Sequence, residues 1–137
     1  MSIKLSHLAV TVKDMEESLR FYTEGLGFKR AFDIPRHETG EPWIVYLVAS
    51  PGHFLELFYG GKEEKPWNEE QIGFAHICLE VDDIHEAVER VRSAGYPIDS
   101  EPRQANDHNW QAWIHDPNGI RIELMKIVPE SPQAKFS

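Results

Sequence analysis

The sequence predicts an α+β domain built from two tandem β-α-β-β-β modules. Three observations carry this. The first is an internal repeat. His7-Leu-Ala-Val-Thr-Val-Lys-Asp14 resembles His76-Ile-Cys-Leu-Glu-Val-Asp-Asp83 at an offset of 69 residues, and Gly52-His-Phe-Leu-Glu56-Leu57 resembles Gly119-Ile-Arg-Ile-Glu123-Leu124 at an offset of 67. The second is that each half opens on an alternating strand pattern and passes at once into a helix-start signature. The third is that each half closes on two strand-like runs joined by turn residues, Pro51-Gly52 and Asp116-Pro117-Asn118-Gly119.

The elements follow in order. Residues 3–12 alternate, with Leu8, Val10 and Val12 on one face and Leu5, His7, Ala9 and Thr11 on the other. Asp14 is an N-cap, with Glu17 three residues on completing a capping box. Met15, Leu19 and Tyr22 then recur at helical spacing, and Gly27 suits the helix exit. Strands are expected over about 28–35, 42–49 and 53–60. In the second half, Ile77, Leu79 and Val81 form the strand stripe, Asp83 and Glu86 the box, and Ile84, Ala87, Val88 and Val91 the helix stripe; Gly95 is the exit. Its later strands are expected over about 97–103, 110–115 and 119–126. The organisation is therefore a first module over 1–60, a Gly/Pro-rich charged linker over 61–71, a second module over 72–127 and a Pro-containing tail over 128–137.

Composition narrows the function. The 137 residues carry 23 acids against 14 bases, a net charge of −9, with no basic cluster. Nucleic acid and anionic membrane surfaces are not the expected partners. No apolar run is long enough to span a bilayer, and the N-terminus lacks a signal-peptide layout. A single cysteine, Cys78, excludes an internal disulfide, and a cytoplasmic location is the expectation.

The candidate functional residues come from placing the repeat on its strands. His7 and His76 occupy matching points of the two first strands, opposite the helix-facing stripe. Glu56 and Glu123 occupy matching points of the two last strands, with Leu55/Leu57 and Ile122/Leu124 pointing the other way. All four polar residues thus belong to the sheet face without a helix. If the two sheets curl so that this face lines a groove, two imidazoles and two carboxylates meet there. That donor set suits one divalent metal ion, nickel, cobalt, zinc, manganese or iron. Taken singly, each of these residues reads as an ordinary structural histidine or solvated glutamate; the recurrence in both halves is what argues for a site. Strand alternation also assigns Phe54, Phe58, Trp110, Ala112 and Met125 to the same face, and His108 and Trp110 are expected to touch substrate.

The motifs Ser6-His7-Leu-Ala-Val10, Ser18-Leu-Arg-Phe-Tyr22 with Gly25-Leu-Gly-Phe28, Leu55-Glu56-Leu57, Ala75-His76-Ile77, and Asp116-Pro-Asn-Gly119 before Ile122-Glu123-Leu124 run through nearly the whole chain. Together they resemble the vicinal oxygen chelate superfamily, which holds glyoxalase I, extradiol dioxygenases and bleomycin-resistance proteins. The resemblance implies paired β-α-β-β-β modules forming a curved, half-open mixed sheet around a metal groove, with His7, Glu56, His76 and Glu123 as metal ligands. The His-Glu-His-Glu order is most similar to the glyoxalase I branch.

That resemblance implies a divalent-metal-dependent lyase or isomerase. It would act on a small α-hydroxycarbonyl or related oxygen-chelating substrate through an enediolate, with Glu123 or Glu56 as the base. Two departures argue against strict use of glutathione. Thr11 stands where glutathione-using members carry Arg, and Phe58-Tyr59-Gly60-Gly61 stands where they carry an Asn-containing turn. An iron(II) extradiol-type dioxygenase, with His7, His76 and Glu123 as its triad, is the first alternative, although Glu56 would fill a position that chemistry needs open. A non-catalytic small-molecule binding protein is the second. Modules of this kind pair within a chain or swap across a dimer. The 20-residue gap from Glu56 to His76 is short and favours the swapped arrangement, so a homodimer is the expectation.

Overall fold

A computed structural model describes residues 1–137. The chain divides into two compact units, Met1–Glu64 and Lys65–Ser137.

The first unit is a four-stranded mixed sheet with one helix. Its strands are β1 (His7–Thr11), β2 (Lys29–Pro35), β3 (Pro42–Ser50) and β4 (His53–Phe58), in the order β1-β4-β3-β2. β1 runs parallel to β4; the β2–β3 and β3–β4 pairs are antiparallel hairpins. The parallel pair needs a crossover, which helix α1 (Met15–Arg20) and a π-helical turn (Phe21–Gly25) begin. The Asp14 side chain accepts from the Glu17 backbone N–H at 3.1 Å, so the expected N-cap forms. Gly27 leaves this crossover with φ +76°, a conformation costly to residues with a Cβ.

The core of this unit lies on one sheet face. Val45, Leu47, Leu55 and Leu57 are buried there, with Val10, Val12, Leu19 and Phe21. Each fully buried leucine or valine contributes about 1.5–3 kcal/mol relative to exposure. Burial reaches Val10 and Val12 but not Leu8, which is 42% exposed although it shares their face. Residues 3–6, expected to extend the first strand, lie outside it, because β1 pairs only with β4 and that register begins at His7↔Phe54.

The second unit repeats the plan. Its strands are β5 (Ile77–Glu80), β6 (Ser100–Gln104), β7 (Trp110–His115) and β8 (Arg121–Lys126), in the order β5-β8-β7-β6, with helix α2 (Ile84–Ser93) in the crossover. Asp83 caps α2 through the Glu86 N–H at 3.0 Å. Ile84, Val88 and Val91 from the helix, and Ala112, Ile114, Ile122 and Leu124 from the sheet, are buried. No helix is long and apolar enough to cross a membrane.

The tail is tied to the second unit. The buried Asn109 accepts from the Val128 backbone N–H at 2.9 Å and its amide reaches Gln133 Oε1 at 3.4 Å, while Ser131 is fully buried.

Candidate functional site

Each unit carries one histidine–glutamate pair on the sheet face opposite its core. In the first unit the β1–β4 register sets Ala9 against Glu56 and His7 against Phe54, so His7 and Glu56 are diagonal neighbours on one face. His7 Nε2 is in direct contact with Glu56 Oε2. The Glu56 side chain is buried although the residue is acidic. A buried carboxylate is stable only when partnered, and a second donor is present. The Tyr46 hydroxyl donates to Glu56, and this bond, with desolvation and the charge of the carboxylate, holds the Tyr46 phenol above its ordinary range.

Aromatic rings wall this pair. Tyr46 stacks on Phe32 at 4.4 Å between centroids, and meets His7 and Phe54 edge-on, both at 6.1 Å. Phe54 and Phe58 share the face of Glu56 by alternation along β4, as expected.

In the second unit Ile77 pairs with Ile122 and Cys78 with Glu123. His76, one residue before β5, places Nε2 at 3.1 Å from Glu123 Oε1. Glu123 is buried, as its counterpart is. Cys78, across from it, has its thiol pushed up to about 12, first by desolvation and then by the charge of Glu123, to which it also hydrogen-bonds. The thiol is therefore a protonated neighbour of the carboxylate, not a nucleophile.

The β7 register corrects the sequence reading. Trp110 pairs with Lys126 and Ala112 with Leu124, so both lie on the core face and not with Glu123. Ala112 is fully buried, and the Trp110 ring meets His85 of α2 at 6.2 Å. The residue opposite Glu123 is Trp113. Its ring meets His76 edge-on at 4.8 Å, so Trp113 and not Trp110 walls the second pair. Met125 does share the Glu123 face and is joined there by Gln111. His108 sits in the turn before β7 with φ +73°, exposed, with its backbone bonded to Ala105 and Gln104.

The repeat itself held the signal for Trp113. At the offset of 67 that relates Glu56 to Glu123, Tyr46 corresponds to Trp113 and Phe54 to Arg121. Arg121 is a further functional-face residue that alternation alone did not single out.

Within neither unit do three or more His, Cys, Asp or Glu side chains gather into a metal-holding group. Each unit instead offers two donors, an imidazole nitrogen and a carboxylate oxygen in contact with each other. Borderline divalent cations accept such a pair, but one pair supplies only half of an ordinary coordination shell.

Two β-α-β-β-β units, each presenting a His–Glu pair on its open face, define a paired-module class of protein. The comparisons agree. Residues 4–124 match the Glyoxalase/Bleomycin resistance protein/Dioxygenase superfamily, and the chain belongs to it. The chain is 30% identical to a probable lactoylglutathione lyase of Synechocystis, over 89% of this chain and 94% of that one. It is 29% identical to a lactoylglutathione lyase of Escherichia coli O157:H7, over 90% and 93%. A chloroplastic probable lactoylglutathione lyase of Arabidopsis thaliana is 31% identical over 92% of this chain, which spans only 36% of that relative. Among solved structures, a glyoxalase family protein from Enterococcus faecalis superposes with a TM-score of 0.76 at 22% identity, over 89% of this chain and 96% of that one, which shows a shared fold.

Proposed function

We propose that this chain is a divalent-metal-dependent lyase or isomerase of the glyoxalase type, acting on a small substrate that presents two adjacent oxygens. The observation that carries it is the doubled pair: His7 against Glu56 and His76 against Glu123, each carboxylate buried and each imidazole aimed at it. The lyase names of relatives near 30% identity support the reaction class.

The ligands of one ion would be His7, Glu56, His76 and Glu123, drawn from one chain or shared across a homodimer in the cytoplasm. A divalent ion held there would polarise neighbouring carbonyl and hydroxyl oxygens and stabilise an enediolate. The chain's own part is to move the carbon-bound proton. Glu123 is the better candidate base. Glu56 is held by a phenol hydroxyl as well as by His7, whereas Glu123 has only a thiol beside His76, and a thiol is a weak donor. The carboxylate with the weaker restraint is freer to turn toward a substrate proton. Thr11, exposed and paired with Phe58, supplies no cation for a tripeptide carboxylate, which supports a substrate other than the glutathione adduct.

Metal analysis and calorimetry on the purified protein test the site. Glu56→Ala and His76→Ala should each lose the bound ion; full retention in both would sink the four-ligand reading. Comparing the methylglyoxal–glutathione hemithioacetal with other α-hydroxycarbonyl compounds tests the substrate. Ordinary enzyme rates on the hemithioacetal would reject the glutathione-independent part.

A further inference from the structure

The second unit holds a guanidinium that no carboxylate claims. Arg121 lies on the Glu123 face of β8, with Cζ 3.7 Å from the Trp67 ring centroid and 4.7 Å from that of Trp113. It forms no ion pair, although the chain carries nine more acids than bases. The acidic groups around it are engaged elsewhere. Glu123, two residues on, pairs with His76 at 3.1 Å. His115, across from Arg121 in the β7–β8 register, holds Asp99 at 2.7 Å.

Stacking on rings uses the faces of a guanidinium and leaves its in-plane N–H donors available. Those donors form a planar fork that matches a carboxylate or phosphate in two parallel bonds. The fork is also next to the His–Glu pair. Extending the β5–β8 register by one residue sets Arg121 across from His76, as Phe54 stands across from His7. Trp113 touches both His76 and Arg121.

We propose that Arg121, held between Trp67 and Trp113, is the oxyanion-recognising residue of this site, so that the substrate carries a carboxylate or phosphate group beyond the two oxygens it presents to the His–Glu donors. The equivalent position of the first unit is Phe54, beside Tyr46 and Phe32. The second pair is thus flanked by a fixed cation where the first is flanked by rings, and the anionic end belongs with the second. Only the assignment of that anion to the substrate rests on the glyoxalase-type reading; the anion site itself does not.

The test is a titration of metal-free protein, followed by tryptophan fluorescence and by the Arg121 Nε–H resonance. The probes are succinate, inorganic phosphate and the neutral succinamide. Saturable binding of succinate or phosphate is expected, with the tighter of the two giving the anion class, and succinamide should produce no saturable change. Arg121→Gln should weaken anion binding at least tenfold. Arg121→Lys, which keeps charge and stem but not the fork, should fall between. Should Arg121→Gln not fold, the Lys variant and the Arg121 resonance still decide. Equal anion affinity in wild type and the Lys variant with an unmoved Arg121 resonance, equal binding of succinamide, or no saturable response would overturn the proposal and leave only a stack that pins Trp67. Because no metal is present, failure here leaves the metal reading standing, and failure of metal loading leaves this titration readable.

Discussion

The turn before β8 sets the position of Glu123, and one side chain builds it. Asp116 is 1% exposed; its Oδ1 accepts from the Asn118 and Ile120 backbone N–H groups, both at 2.8 Å, and its Oδ2 accepts from the Asn118 amide at 3.1 Å. Asp116→Ala removes both acceptor oxygens and all three hydrogen bonds. Hydrogen bonds to a charged group contribute about 1.5–3 kcal/mol each, but the part-buried turn lets water recover some of that, so a net loss of about 2–4 kcal/mol is expected. For a domain of this size that is a fall in Tm of roughly 8–15 °C. Asp116→Asn keeps an oxygen facing the two backbone donors and should lose only about 1 kcal/mol. Urea unfolding with an unchanged m-value measures both. An alanine variant within 0.5 kcal/mol of wild type would refute the reasoning. So would an asparagine variant as unstable as alanine, since that would make the charge and not the acceptor geometry responsible.

Three further outcomes are expected. A Cβ at Gly61 would stand 2.8 Å from the Val12 carbonyl oxygen, to which the Gly61 N–H already donates at 3.0 Å; Gly61→Ala should cost about 1–3 kcal/mol in chemical unfolding, and an unchanged midpoint would show that the close approach is not needed. With its thiol at about 12 against an ordinary 9.0, Cys78, although exposed, should react with disulfide reagents at pH 8 on the order of a thousandfold more slowly than a free thiol, and a normal rate would contradict the hold of the Glu123 carboxylate on its proton. The folded state holds this proton more tightly than the unfolded chain, so the associated stability is present below pH 9 and is lost between pH 9 and 12. Tyr46→Phe keeps the ring contacts but takes a donor from Glu56, so metal affinity measured by calorimetry should fall about tenfold while Tm barely moves; unchanged affinity would show that the phenol does not support the ligand.

The elements most legible in the sequence were those with two independent markers. Asp14/Glu17 and Asp83/Glu86 announced both helices, and both caps form. Each glutamate, flanked by buried aliphatics, declared its own face: Leu55, Leu57, Ile122 and Leu124 are all buried on the other side. β7 lacked such a marker. It carries apolar residues on both faces, Trp110, Ala112 and Ile114 on one and Trp113 on the other, so alternation could not say which face meets the helix. Ala112 and Ile114, buried against the core, set the phase and move Trp110 away from Glu123. Ile3 and Leu5 misled in a different way. Their alternation has strand character, but no neighbouring strand pairs with them, and a strand is defined by its partner.

What differs between the two halves is as informative as what recurs. The imidazole–carboxylate contact is present in both units, and each carboxylate has one further donor, a phenol in the first and a thiol in the second. The neighbours then diverge: Phe54 answers Arg121, Tyr46 answers Trp113, and Ala9 answers Cys78. A metal ion needs only donors, and two identical pairs would serve it. The proposed α-hydroxycarbonyl substrate, with a carbonyl on one carbon and a hydroxyl on the next, is not two-fold symmetric. Walls that differ around donors that recur suit the asymmetric substrate proposed above. On the proposed reading, substrate identity would be decided at Tyr46, Phe54, Trp113 and Arg121, around the recurring histidines and glutamates.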